Sequence, residues 1–434
     1  MLKKIFVTSL FLSLFFISMV IFGAIVNHVS TNGPYSNNIL FQICFKISQI
    51  PSNIKTYYFG GDLSIEKRDK IKILEKKKYG LKKFKKITNQ EYILISKYFL
   101  DQKKFRLELF DINNNIKIHE WVLKNNGNNK LKPGHESEDA PRRYTFEHSL
   151  MLNNGNILIS SGGLNVKKLD VCSNILWENQ IKSHHSKELD HLNNLWVPVY
   201  LQPKLFQGKE ILHDGIVNID INNGKKIFQK SLLEIFNENN LNDYIANAYS
   251  GKDPLHLNDI QPVLENGKFW KQGDLFLSLR NISMILLYRP SNNRVIWFKT
   301  GPWRHQHDVD ILDDRKITIF NNNTDISLKT VNENNNIIVY DFENNNASLL
   351  IGEAFKKYKI DTYYEGLHEV VKNQLIFVEE QDQGKLYKFN YIGELEWIYT
   401  WDAQVKWSRL YNNFINKNWD LEDTIKKIKN TKCN

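Results

Sequence analysis

Leu169-Asp170-Val171-Cys172-Ser173-Asn174-Ile175-Leu176-Trp177 reads as a hairpin: an apolar residue beside an Asp, a short polar turn, then an apolar pair closed by Trp. Apolar runs on either side of an Asn, Asp or Gly cluster predict two strands joined by a tight turn. The pattern recurs from Phe110-Asp111-Ile112 to Trp121, from Ile219-Asp220-Ile221 to Phe228, and from Leu287-Tyr288-Arg289 to Trp297. It recurs again from Val339-Tyr340-Asp341 to Leu349 and from Lys388-Phe389-Asn390 to Trp397. That makes six copies, with closing residues 56, 51, 69, 52 and 48 apart (121→177→228→297→349→397). A four-stranded blade takes roughly 40–50 residues, so this period predicts a β-propeller. Six copies predict an all-β fold of six blades. The long third interval predicts an insertion, Leu232 to Pro254, on one face. A pair of irregular β-sandwiches is the competing fold, but a sandwich has no reason to repeat one hairpin along its length. The recurring Trp residues read as core packing between neighbouring sheets, with no further role.

Strand-like runs begin near Glu91, for example Tyr92-Ile93-Leu94-Ile95-Ser96, Asn156-Ile157-Leu158-Ile159-Ser160 and Gln374-Leu375-Ile376-Phe377-Val378. Sustained helical periodicity returns only in the tail, Asp420 to Ile428. The propeller is therefore expected over 91–434, with a helical tail. Residues 29–90 read as a linker, with a helix from Ser64, as N-cap, to Lys78. Residues 1–28 are an anchor. Lys3 and Lys4 precede an uncharged run, Ile5 to Val26, long enough for a span of about 20 apolar residues. Phe22-Gly23-Ala24-Ile25-Val26 is a poor cleavage site, which favours an uncleaved transmembrane helix over a signal peptide. The positive-inside rule then leaves Lys3 and Lys4 in the cytoplasm and everything after Asn27 outside it. In a bacterium that is an inner-membrane, single-pass protein with its propeller in the periplasm or at the cell exterior.

With 434 residues, 42% of them hydrophobic, the chain can build a large core without disulfides. Its 58 Lys+Arg against 48 Asp+Glu leave a charge of +10. Much of that excess sits between Lys67 and Lys86, just after the anchor, and reads as a solvated or headgroup-facing stretch rather than a nucleic-acid surface. Cys44, Cys172 and Cys433 are too far apart for a metal-ligand motif. They read as ordinary thiols, with one long-range disulfide left open by the oxidising compartment.

The histidines fall in register with the repeat. His148, the pair His184-His185, His256, His307 and His368 each stand just before an alternating run and a turn. Only the first copy lacks one. The innermost strand of each blade lines a propeller's central channel, so equivalent positions converge on one ring. Clustered imidazoles disfavour full protonation and suit anion binding, metal binding or proton transfer. Two further stretches sharpen this. Phe276-Leu277-Ser278-Leu279-Arg280-Asn281 ends a strand on an Arg, whose planar fork suits a tetrahedral oxyanion. Gly301-Pro302-Trp303-Arg304-His305-Gln306-His307-Asp308 adds His305 beside His307.

The set His184-His185, His256-Leu257-Asn258-Asp259, Ser278-Leu279-Arg280 and Gln306-His307-Asp308 resembles the arylsulfate sulfotransferases, over roughly His148 to Trp397. These are bacterial six-bladed propellers that move a sulfuryl group between phenols without a nucleotide sulfate donor. The resemblance implies that His307 is the nucleophile and forms a sulfohistidine. It implies that Arg280 neutralises the sulfuryl oxygens, that His256 and Asn258 hold them, and that His185 completes the site or moves a proton. His184, His148, His368 and His305 join as substrate-binding candidates, the last as a supporting residue. The reaction would be ping-pong, with no cofactor and no metal. Its partners would be small-molecule aryl sulfate and phenol, with the membrane held through the anchor; a homo-oligomer is left open. Well-studied members carry an N-terminal β domain and a nearby cysteine pair, and 27–90 leaves little room for the former.

Two other functions fit the same residues. A metal-dependent enzyme would use His256 and His307 as ligands, with Arg280 an awkward neighbour for a cation. A non-catalytic propeller would capture an anion or sugar at the cell surface.

Overall fold

The computed structural model describes residues 2–30, 38–48, 80–99, 104–122, 146–160, 164–202, 204–206, 208–246, 248, 252–325, 330–401, 406–417 and 419–433. The helix expected over Ser64 to Lys78 lies outside them. At the N-terminus Leu2–Ser30 is one helix, and its Thr8–Val26 stretch is long and apolar enough to cross a membrane, with none of it buried against the rest of the protein. A second helix, Ile39–Ser48, follows.

The hairpin pattern has a local cause. In the quoted stretch Asp170 accepts the Asn174 N–H at 2.8 Å, and Ser173 takes the left-handed conformation (φ 65) that turns the chain. The same Asp-to-turn bond recurs from Asn114 to Asp111, from Asn194 to Asp190, from Asn222 to Asp220 and from Glu343 to Asp341. A carboxylate that caps its own turn is why Asp ends so many strands here.

The strands build a propeller-like, all-β arrangement. Three antiparallel sheets have four strands. In the first, Lys406–Tyr411 lies beside Tyr92–Phe99, Lys104–Asp111 and Ile116–Val122, so the C-terminal strand completes the sheet that the N-terminal strands begin. The second runs Leu257–Pro262, Leu275–Leu279, Met284–Arg289 and Arg294–Thr300, and the third Val309–Ile311, Lys316–Asn321, Asn336–Asp341 and Asn346–Leu350. A fourth sheet, Leu367–Val371 through Leu395–Thr400, gains a fifth strand from Gly80–Lys83, upstream of the expected propeller start at residue 91. Eight of the strands between Leu150 and Ser231 form one sheet, while Lys204–Phe206 with Lys209–Ile211, and Thr324–Asp325 with Thr330–Val331, pair as separate two-stranded ribbons. The described residues therefore show four separate blade sheets and one double-sized sheet, not six separate sheets. The two halves of the double sheet meet at the single pair Val199↔Ser183.

Apolar faces pack each segment on the next. Leu94, Leu109 and Trp121 meet Met151 and Ile157; Leu158 and Val166 meet Val197 and Val217; Trp196 and Ile216 meet Leu257 and Leu277. Phe276 and Ile285 then meet Val309 and Ile319, and Phe320 and Ile337 meet Ile376 and Tyr387. Phe377 and Trp397 return to Ile93 and Ile95, which closes the circle. Each such buried side chain contributes about 1.5–3 kcal/mol. Of the recurring Trp residues, Trp121 and Trp397 are core, as the repeat predicts, whereas Trp177 and Trp297 are half-buried.

The expected insertion begins with a packed helix. Ser231 and Glu234 form a reciprocal cap for the helix Leu232–Glu238, and its Leu232, Ile235 and Phe236 are buried beside Trp196 and Leu257. The tail helix Leu421–Asn430, capped by Asp420, buries Leu421, Ile425 and Ile428 against Tyr92 and Trp121. That docking corrects the reading of three ordinary thiols. It carries Cys433 back to the turn of the quoted hairpin, where it is bonded to Cys172, 261 residues away in sequence; Cys44 is free.

Candidate functional site

The inner strands share an unusual entry. His148, His185, His256, His305, Glu365 and Trp407 all have positive φ, between 43 and 57, at or just before an innermost strand. A left-handed residue with a side chain costs roughly 1–2 kcal/mol. Here the kink recurs once per segment, and at His148, His185, His256 and Trp407 it accompanies rings that meet one another.

His185 is the hub of the resulting cluster. Its ring centroid lies 4.9 Å from His184, 5.2 Å from His256, 5.5 Å from His307 and 5.4 Å from Trp407. Trp407 in turn lies 4.7 Å from His307 and 5.4 Å from His148. His256 and His307 therefore flank one imidazole, on one side of the channel. Trp407 stands where the histidine missing from the first copy would stand. Sequence reading passed over it because the C-terminal strand, not an N-terminal one, supplies that position.

The rings are oriented by neighbours. His184 Nδ1 and His185 Nδ1 are 2.7 Å apart, so one donates and the other accepts. His184 stacks on Tyr200 at 4.0 Å and turns Nε2 toward Asp214 at 3.5 Å. Burial pushes the Asp214 carboxyl up, but its bond and attraction to His184 outweigh that and hold it below the usual carboxylate range. His256 Nδ1 is 2.5 Å from Asp253. Burial drives the His148 imidazole well below its ordinary value, helped by the charges of Arg409 and Lys187, so His148 is neutral.

Arg280 is 7% exposed. Its backbone N–H bonds the His256 carbonyl at 3.0 Å, which seats it beside the cluster. Nη1 donates to Asn281 at 3.0 Å and the guanidinium lies 5.4 Å from the Tyr364 ring, while Nε and Nη2 have no hydrogen-bond partner among the described residues. Burial lowers its pKa, and the side chain remains a cation. Unpaired donors on a buried guanidinium make a site for an oxyanion.

Asn258 is fully buried and gives an amide N–H to the Gln306 carbonyl at 3.2 Å, while Gln306 reaches across to the Leu279 and Met284 carbonyls. Asn258 thus fixes the segment that carries His307. Two other candidates bond away from the cluster. His305 Nδ1 meets the Thr324 carbonyl at 3.0 Å. His368 Nδ1 meets Asp308 at 2.9 Å.

Beyond the ring, charged groups fill the inner strands. Arg409 bonds Glu188 at 2.8 Å and the Ser149 carbonyl at 3.1 Å. Lys187 is fully buried, bonds the Glu147 and His185 carbonyls, and has its pKa lowered by burial to about 7. None of these, nor Asp214 and Asp253, carries a sequence signal of its own.

A family model described as Arylsulfotransferase (ASST) matches residues 148–402. No curated protein matches the chain. A solved structure of a protein of unknown function from Bacteroides caccae is 10% identical, with a TM-score of 0.48, covering 74% of this chain and 99% of that one. Apo AztD from Citrobacter koseri is 9% identical, with a TM-score of 0.36, covering 75% and 99%. At these scores neither likeness carries an argument.

Proposed function

Because this chain belongs to the arylsulfotransferase family, we propose that it moves a sulfuryl group from an aryl sulfate to a phenolic acceptor through a sulfohistidine on His307. The observation that carries the reading is Arg280: a buried guanidinium with two nitrogens that have no hydrogen-bond partner among the described residues, bonded through its backbone to the His256 turn of the imidazole cluster.

In the first half-reaction a nitrogen of His307 attacks sulfur. The N–S bond forms, the bond from sulfur to the aryl oxygen breaks, and the oxygen leaves with the electron pair. The His184–His185 pair gives that oxygen a proton. In the second, the acceptor phenol returns a proton to the pair as its oxygen attacks sulfur, and the N–S electron pair goes back to His307. Two half-reactions at one site make the kinetics ping-pong. Arg280 and His256, the latter steadied by Asp253, face the charge that moves onto the sulfuryl oxygens. Trp407, against His307, is a flat wall for an aromatic ring. Neutral His148 borders it, whereas His305 and His368 are outside the substrate site in this reading.

We read the eight-stranded sheet as two blades bridged by one residue pair, so that six blades surround the site; the circle of apolar clusters supports this. We take the N-terminal helix as an uncleaved anchor and the propeller as extracytoplasmic. The Cys172–Cys433 bond supports that side of the membrane, because disulfides persist in oxidising compartments.

The test is mass spectrometry of the peptide containing His307 after exposure to p-nitrophenyl sulfate. The expected result is one added sulfuryl group on His307, discharged by phenol with release of nitrophenol. Anion binding with no adduct and no turnover across a donor–acceptor panel would leave a binding propeller instead.

A further inference from the structure

We propose that the helix Ile39–Ser48 is a second membrane element, which lies in the extracytoplasmic half of the bilayer and presents Ile39, Leu40, Ile43 and Ile47 to lipid acyl chains. The proposal rests on the reading of the N-terminal helix as an anchor. The second helix starts on a local signal: the Asn38 side chain accepts the Leu40 N–H at 2.9 Å and the Phe41 N–H at 3.4 Å. It then runs Ile-Leu-Phe-Gln-Ile-Cys-Phe-Lys-Ile-Ser, with Lys46 its one charged residue. Ten residues at about 1.5 Å each reach about half of a hydrocarbon core, so the helix is too short to cross.

Its two sides differ. Ile39, Leu40, Ile43 and Ile47 make one stripe at helical spacing, and they are 74%, 66%, 46% and 49% exposed. Phe41, Cys44 and Ser48, on the other side, are partly covered. The element packed against this helix is the N-terminal helix. There the residues from Thr8 to Ile21 are exposed, whereas Phe22, Ile25 and Val26 are partly covered. The contact therefore lies at the Val26 end of the apolar span Thr8–Val26. With Lys3 and Lys4 at the cytoplasmic end, the Val26 end is the outer one.

That depth names the occupant of the stripe. A helix held against the last turns of a span is held where acyl chains surround the span itself, so its opposite side meets the same lipid. Four contiguous branched side chains left in water form a patch that calls for a partner, and hydrocarbon satisfies all of them without a specific fit. The span and the short helix then make a two-point attachment, and the chain leaves the bilayer after Ser48 rather than after Ser30.

The test uses the full chain reconstituted into vesicles of phosphatidylcholine and phosphatidylglycerol. Cys172 and Cys433 are bonded to each other, so a Cys44→Ser chain offers no free thiol until one is introduced. A bimane fluorophore is attached at Ile43→Cys in that background and, as an aqueous reference, at Ile392→Cys, an exposed turn residue. Lipids brominated near the headgroup end of the acyl chain are expected to quench the Ile43→Cys label at least about twofold, and aqueous iodide to quench it far less than the Ile392→Cys label. Equal quenching of the two labels by iodide overturns the proposal. So does protection of the Ile43→Cys label from both quenchers, as when the stripe packs on the propeller or on a second copy of the chain. Circular dichroism checks that each variant is folded. A label at Ile17→Cys reports the span separately. Quenching there by lipids brominated near the methyl end, without quenching at Ile43→Cys, removes this proposal and leaves the anchor standing. No readout depends on aryl sulfate, so failure here and failure of the transfer reaction are separate results.

Discussion

The inner strands carry two unlike chemistries within a few residues of each other. At their starts stand His148, His185, His256, His307 and Trp407, which meet ring against ring. Just beyond stand Asp259 and Asp308, with Glu379 on the strand next to an inner one, and each accepts a backbone N–H of the following segment: Val309, His368 and Trp407 respectively. The first set meets through its rings, whereas the second set is committed to the backbone. Asp214, which accepts the Leu257 N–H at 2.8 Å, does both, since it also faces His184. The carboxylates decide where the imidazoles stand, so loss of a clasp and loss of a ring should be distinguishable.

His307→Ala should be the most severe change. Transfer is expected to fall at least about 10⁴-fold, with no adduct by mass spectrometry and an unchanged melting temperature. Arg280→Ala should cost roughly 10²–10³ in kcat, and Arg280→Lys should recover only part of it, because an ammonium lacks the planar fork; steady-state kinetics with p-nitrophenyl sulfate checks both. Asp259→Ala touches no substrate but frees the Val309 N–H, two residues from His307. A fall of about 10–100-fold in transfer, with a loss of about 1–3 kcal/mol in denaturant unfolding, would show that the clasp positions the ring. Equal transfer with lower stability would show that it does not.

A weaker effect concerns pH. Burial pushes the Glu379 carboxyl up to about 7, and its bonds from Ser408 and Trp407 offset this only in part. The folded state then holds a proton that the unfolded chain releases near the ordinary carboxyl value of 4.5. The contribution is fully present below that value and is lost as pH rises toward 7. Glu379→Gln should therefore flatten the decline in melting temperature between those limits. The smallest expected effect on transfer is that of Cys172→Ser, which leaves the adduct intact. Freeing the tail from a loop of this length is expected to lower stability by about 2–5 kcal/mol in thermal unfolding.

Much of the fold was legible because its signals are local. A turn capped by its own Asp, an alternating strand and a 19-residue uncharged span each occupy a short window of sequence. The repeat then carried the histidines into register, since rotational symmetry converts equal positions along a chain into neighbours in space. His148, His184, His185, His256 and His307 were found that way. What the repeat could not carry was direction. His305 and His368 sit at comparable places in sequence, yet one bonds Thr324 and the other Asp308. Asn258 is a backbone clamp on Gln306.

By itself, then, the sequence determined the strands, their turns, the apolar N-terminal span and the set of residues able to do chemistry, all properties of neighbouring residues and a period. Only the tertiary structure decided that the last strand completes the first sheet and brings Trp407 into the histidine circle. It alone decided that Cys433 reaches Cys172 and that Asp214 and Asp253 steady two of the imidazoles. Those are contacts between distant parts of the chain or between rotamers. They are fixed by which surfaces are buried together, and no short window of sequence contains that information.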